Sequence, residues 1–179
     1  MVWTLIVAII LVIVLWSFYV SWRATRLDRL HNRAEGARTG LDLAMERRSS
    51  AAYELASSGL LDPATSLLLA DAVRRAKSAK ADERDLAESD LTRSLRATFS
   101  QPEFRSSLNG SGVAAELVAD VESAAHQVYI ARKFYNDIAA RTIYARTRPL
   151  ARVFHLSGTA PAPGFFEMDD ALTETDVRA

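Results

Sequence analysis

Residues 2–22 read VWTLIVAIILVIVLWSFYVSW, a run with no charged side chain that ends at Arg23. Only Thr4, Ser17 and Ser21 in it are not hydrophobic. As a helix, Trp3 to Trp22 spans about 28 Å, close to the roughly 30 Å hydrocarbon core of a bilayer. A tryptophan at each end suits the two interfaces, where the ring sits in the apolar edge and the indole N–H stays wet. A cleaved signal peptide is one competing reading. It fits poorly, because there is no basic start, the apolar stretch is too long and no A-x-A site follows. A buried helix of a soluble protein is the other, but a helix apolar on every face belongs in a membrane or a large core. The expectation is a retained transmembrane anchor over residues 1–22.

The flanking charges orient it. Before the run there is only the α-amino group; after it come Arg23, Arg26, Arg29 and Arg33 against Asp28 alone. The positive-inside rule then predicts a single-pass protein of the cell membrane, with a short N-terminus outside and the other 157 residues in the cytoplasm. Trp3, Trp22, Arg23, Arg26 and Arg29 are the expected membrane-interface residues. The arginines suit anionic headgroups, although a role as topology determinants is sufficient.

Beyond the collar the chain reads as long helices. Leu27, Leu30, Ala34, Ala37, Leu41, Ala44, Ala51 and Leu55 recur at helical steps, and nothing between Trp22 and Leu27 interrupts the backbone. The first soluble helix, residues 23–58, is therefore expected to continue directly from the anchor. Gly36 and Gly40 lie on one face, where a close helix crossing is the expected reason and a hinge the weaker one. Ser57-Ser58-Gly59 ends the helix, with Gly59 suited to the left-handed position after it. Asp62-Pro63 starts the next, by a capping carboxylate and a proline at the first helical position.

The second helix is expected over residues 63–99, through Leu67, Val73, Ala76, Leu86, Leu91, Leu95 and Phe99. Its pattern fades at residues 80–85, KADERD, which reads as a kink, a short loop or a solvated face; one interrupted helix is the favoured reading because two halves would not match their neighbours in length. Asn109-Gly110-Ser111-Gly112 closes the following loop. A third helix runs over residues 113–148 on the seam Ala114, Leu117, Val121, Ala124, Val128, Ala131, Tyr135 and Ile138, until Pro149 restricts Arg148. The prediction is an all-α fold: one N-terminal transmembrane helix continuing into an elongated antiparallel bundle of three to four long helices. The divisions are 1–22 anchor, 23–148 bundle and 149–179 a C-terminal segment. In that segment Leu150 to Leu156 is a candidate short helix, Phe165 and Phe166 are expected to dock on the bundle, and the acidic remainder (Glu167, Asp169, Asp170, Glu174, Asp176) is expected to be a solvated tail.

Whole-chain averages conceal this organisation. Twenty-two basic and 22 acidic residues give zero net charge, and the mean hydropathy is −0.00. A full membrane span has been averaged with a polar bundle. The absence of cysteine excludes a disulfide framework, a thiolate metal site and a cysteine nucleophile. The even charge balance argues against a nucleic-acid partner. His31, His126 and His155 lie in separate regions, and Glu122 with His126 reads better as a surface i,i+4 hydrogen bond than as a metal site. No phosphate loop, nucleophile elbow or metalloprotease motif is present. No catalytic residue, cofactor or metal is predicted.

One set of residues is more specific. Ala131-Arg132-Lys133-Phe134-Tyr135-Asn136 is followed by Pro149 and then by Phe165-Phe166-Glu167, and Arg47-Arg48 are paired in the first soluble helix. In this order the chain resembles the LemA family, membrane-anchored bacterial proteins with a paired-arginine stretch, an A-R-x-x-Y-N helix and a late F-F-E. The loop Gln101-Pro102-Glu103-Phe104 is similar to that family's Y-P-x-L loop. The likeness covers most of the chain in layout but few residues in identity, and Ser49-Ser50-Ala51-Ala52-Tyr53 departs from the family's I-P-x-L-V run. The resemblance implies a divergent member with a helical-bundle fold, in a family that supplies no catalytic residues. Arg47, Arg48, Arg132, Tyr135, Asn136, Pro149, Phe165, Phe166 and Glu167 are expected to be structural: Tyr135 packs, and Arg132 and Asn136 satisfy carbonyls where the C-terminal segment crosses.

These readings lead to a non-catalytic scaffold or interaction protein at the membrane, partnered by the lipid bilayer and by an unknown protein or a second copy of itself. A sensor transmitting membrane state through the anchor helix is the alternative. An enzyme with a cleft near His126 and Arg132 is the more remote one.

Overall fold

The computed structural model describes residues 1–102, 104, 112–147 and 161–172. Four long helices carry the described residues: α1 (Val2–Ser57), α2 (Pro63–Ser78), α3 (Arg84–Ser100) and α4 (Gly112–Thr147). No strand occurs among the described residues. The protein is all-α, with an apolar N-terminal helix, as the periodicity requires. The chain divides into two compact units, Met1–Ala37 with Asn136–Phe165, and Arg38–Tyr135 with Phe166–Ala179.

In the first unit, Val2–Tyr19 is helical, has a mean hydropathy of 2.6 and is exposed throughout. Farther along, Ala34 and Ala37 on α1 are buried, as are Ala139 and Thr142 on α4. His31 Nε2 lies 3.1 Å from Glu35 Oε1, one turn away. Arg146 donates a 3.1 Å hydrogen bond to the carbonyl of Pro161.

The second unit contains the main core. Leu41, Met45, Arg48, Ala52 and Leu55 of α1 have no exposed surface, and their alternating steps of four and three draw one inward stripe along the helix. Leu69, Ala72, Val73 and Ala76 of α2, Leu91 and Leu95 of α3, and Val121 and Ala125 of α4 complete that core with Phe104 and Leu172. α1 stops where its sequence says it should: Gly59 has φ of 77°, a left-handed conformation that an L side chain resists. Asp62 then caps α2, accepting hydrogen bonds from the N–H groups of Ala64 (3.0 Å) and Thr65 (3.1 Å).

Residues 63–99 do not form one interrupted helix. α2 ends at Ser78, Ala79 is extended, and Glu83 N–H closes a turn on the carbonyl of Lys80 at 3.1 Å. α3 then runs back along α2, because Gln101 at its end donates a 2.9 Å hydrogen bond to the Thr65 hydroxyl at the start of α2. The charged run at 80–85 thus covers the bend of an antiparallel helical hairpin, at 79–83, and the first residues of α3. Folding back brings the stripe Leu69, Ala72, Val73 and Ala76 onto Leu91 and Leu95, which a straight helix would hold far apart. Equality of helix length was the wrong guide.

Two other expectations are corrected. A Cβ at Gly36 or at Gly40 would meet nothing within 4 Å, so neither glycine is there to admit a crossing helix. The two phenylalanines also part company: Phe166 is 1% exposed and Phe165 is 51% exposed. Residues 161–171 form no helix, and from 165 to 169 burial alternates residue by residue, so neighbouring side chains point to opposite sides. The candidate short helix at 150–156, Pro149, His155 and the acidic residues Glu174 and Asp176 lie outside the described residues.

Candidate functional site

The most constrained polar group is Arg48. It sits on the inward stripe of α1, where its neighbours one turn away are Met45 and Ala52, and it has no exposed surface. One terminal nitrogen lies 2.6 Å from Glu88 Oε2 and also donates to the Glu88 carbonyl at 3.2 Å; the other donates to the Thr92 hydroxyl at 2.8 Å. That hydroxyl in turn donates to the Glu88 carbonyl at 3.1 Å. Burial pulls the guanidinium below its usual range, while the Glu88 carboxylate and, more weakly, Asp170 pull it back. Among the described residues, Arg48 Nε has no hydrogen-bond partner. The network is therefore buried and charge-balanced but incompletely satisfied, a costly arrangement in a core.

A second group gathers on the C-terminal segment. Arg132 Nε on α4 meets Asp170 Oδ2 at 2.5 Å, with the two side chains 21% and 10% exposed. Arg38 of α1 lies over two rings, 4.7 Å from the centroid of Phe166 and 5.6 Å from that of Tyr135. Arg96 of α3 contacts both carboxylate oxygens of Asp169 at 2.9 Å and the carbonyl of Ala171. Asp169 is paired with an arginine but stays exposed, as the sequence pattern predicted, whereas Asp170 is held by Arg132 and largely buried, where a solvated residue was expected. Arg132 meets a carboxylate where a carbonyl was expected.

The structure sorts the motif residues accordingly. Arg132, Tyr135 and Phe166 are held in one neighbourhood, in electrostatic reach of Arg48 through Asp170. Arg47 is exposed and donates to Gln127 Oε1 at 3.3 Å. Asn136 is partly buried, while Phe165 and the side chain of Glu167 are exposed. Trp3, Trp22 and Arg29 are exposed on α1, and the side chains of Arg23 and Arg26 lie outside the described ones. His126 is exposed and stacks on Tyr129 at 6.1 Å between ring centroids; the expected bond to Glu122 is not formed.

Sequence reading missed Arg38, Glu88, Thr92 and Asp170. Glu88 did leave a signal, since it falls one turn before Leu91 and Thr92 on the buried stripe of α3, where an acid needs a partner.

An apolar groove of about 640 Å³ opens between α1 and α2. Tyr53, Leu67, Ala70 and Val73 line it, with Arg74 and Lys77 beside them. Tyr53 is 56% and Leu67 is 72% exposed. Comparison with known protein families, characterised proteins and solved structures finds no match for this chain.

Proposed function

We propose that this is a membrane-anchored helical-bundle protein of LemA type that acts as a non-catalytic scaffold at the cell membrane, on itself or on a partner protein. The observation that carries the proposal is the segment Val2–Tyr19, a helix of mean hydropathy 2.6 with none of its residues buried. Such a helix is unstable in water and matches a bilayer in length. In this reading the flanking Arg23, Arg26 and Arg29 keep residues 23–179 in the cytoplasm, and Trp3 and Trp22 mark the interfaces. The exposed groove at Tyr53 and Leu67 supports interaction through a helix surface, since apolar patches of this kind mark docking sites. The resemblance at Arg47-Arg48, Arg132, Tyr135-Asn136 and Phe165-Phe166-Glu167 supports the family reading, with these residues in structural roles.

The test is cross-linking of the full chain in its native membrane, combined with an alkaline wash. A chain that resists the wash and is captured in a defined cross-linked species meets the proposal. Release by the wash overturns the anchor, and a chain that never cross-links to itself or to a partner overturns the scaffold. Orientation is read by a reporter fused after Ala179: activity only from an extracytoplasmic reporter overturns the cytoplasmic placement.

A second reading, a sensor of membrane state, is favoured by the unbroken helical backbone of α1 from Val2 to Ser57. It predicts that Arg26→Pro abolishes signalling while leaving membrane insertion intact.

A further inference from the structure

Residues 166–172 form neither helix nor strand, yet burial alternates along them from Phe166 to Asp170. Phe166, Met168 and Leu172 are buried and Asp170 is nearly so, whereas Glu167 and Asp169 face out. The backbone of the segment is read by one face of α3. Glu167 N–H donates to Asp85 Oδ2 at 2.9 Å, Asp169 N–H donates to Ser89 Oγ at 3.0 Å, and Arg96 Nε donates to the Ala171 carbonyl at 3.0 Å. Asp85, Ser89 and Arg96 are four and seven residues apart, the spacing of a single helix face. Two alternate side chains meet their own receivers: Phe166 lies under Arg38 and Asp170 reaches Arg132. Main-chain bonds that any sequence can make, combined with alternating side-chain sites that only some sequences fill, are how proteins bind extended peptides.

We propose that α1, α3 and α4 form a binding site for an extended peptide of the pattern Phe-x-Met-Asp-Asp-x-Leu, filled in cis by residues 166–172 and in trans by the same segment of a second copy. The proposal rests on the self-association reading above and names its contact. The occupant follows from the contacts. The receivers named above, Asp85, Ser89, Arg96, Arg38 and Arg132, lie elsewhere in the chain, so exchange with a second copy restores each of them and changes only the connection. Eighteen residues, 148–165, separate Thr147 from Phe166, and at about 3.3 Å per residue such a chain reaches on the order of 60 Å. Charge agrees as well: the segment offers Asp169 and Asp170, and the site presents Arg38, Arg96 and Arg132. Anchoring two copies in one bilayer raises their effective concentration for this exchange.

The absence of cysteine gives a clean test. Two full-length variants, Ser89→Cys and Asp169→Cys, each with its own affinity tag, are reconstituted together in phosphatidylcholine–phosphatidylglycerol vesicles and mildly oxidised. A disulfide-linked species carrying both tags is expected at a yield on the order of tenfold above the control pair Ser89→Cys with Ser50→Cys, the gain coming from the high local concentration of a seated segment. A peptide of residues 161–172 (PAPGFFEMDDAL) is expected to suppress it, and the same peptide with Phe166→Ser is not. If the double variant Ser89→Cys/Asp169→Cys closes within one chain and the mixture gives no more than the control, the segment is a fixed part of its own chain and the exchange is overturned. Failure of the double variant to close overturns the docked geometry too. Co-isolation of the two tags before oxidation reports self-association by any surface. Its persistence without the disulfide sinks the exchange alone, and loss of both sinks the self-association reading with it.

Discussion

At the scale of single residues, the core of this protein is decided by how its charges are neutralised. Arg48 has no water to turn to, and Glu88 and Thr92 are its direct partners. Arg48→Ala leaves the Glu88 carboxylate buried and unpaired, and is expected to cost about 3–5 kcal/mol in denaturant unfolding of the full chain in detergent. Because Nε is left without a partner among the described residues, the pair is not an efficient stabiliser. The double variant Arg48→Met/Glu88→Leu is therefore expected to recover most of that loss, and a double variant as unstable as the single would show that the ion pair itself is required. Asp62 behaves differently, being a surface cap. Its carboxyl is held below the usual range first by a hydrogen bond with the Thr65 side chain and then by backbone N–H groups. The unfolded chain binds that proton more readily, so the stabilisation is complete above the ordinary carboxylate pKa and is lost as pH falls through the lower folded value. Asp62→Asn keeps a capping oxygen and is expected to match the parent near neutrality while losing less stability on acidification. Unfolding midpoints at descending pH check this, and an unchanged acid limb would contradict it.

At the scale of elements, the sequence was most legible where structure is set locally. Gly59 and the pair Asp62-Pro63 announce the end of α1 and the start of α2, because a left-handed residue and a capping carboxylate act over one turn. The turn at 79–83 was not legible. A run such as KADERD suits a solvated helix face as well as a bend, and periodicity cannot say that the stripes on either side of it face each other. The same limit hid the partner of Arg48, since Glu88 is forty residues away and meets it only once α3 has folded back. Phe165 and Phe166 misled for a simpler reason: two adjacent aromatics look like one apolar signal, but where burial alternates along a non-helical segment only one of them points inward. Gly36 and Gly40 invite a direct test at this scale. Both sit within α1 with open space where a methyl group would go. Gly36→Ala and Gly40→Ala are each expected to stabilise the fold by about 0.5–1 kcal/mol, through helix propensity alone. A loss of stability in either would reveal a contact at that face.

At the scale of the whole molecule, the chain joins an apolar helix suited to lipid with a polar, arginine-latched core. Deleting residues 1–22 is expected to give a water-soluble protein with a mainly helical circular dichroism spectrum. An aggregated product would show that the apolar segment is covered by the rest of the chain, and a β-rich spectrum would overturn the fold. The segment at 166–172 carries a further consequence for the order in which this structure assembles. Its bonds to Asp85, Ser89 and Arg96 close sequence separations of 73–82 residues, whereas the Thr65–Gln101 bond of the helical hairpin closes 36. Longer closures cost more chain entropy and give nothing back until late, so the hairpin forms early and the segment seats last. Contacts made after the transition state register in the speed of unfolding more than of folding. Weakening Arg96 should therefore leave the refolding rate nearly intact and shorten the lifetime of the native state.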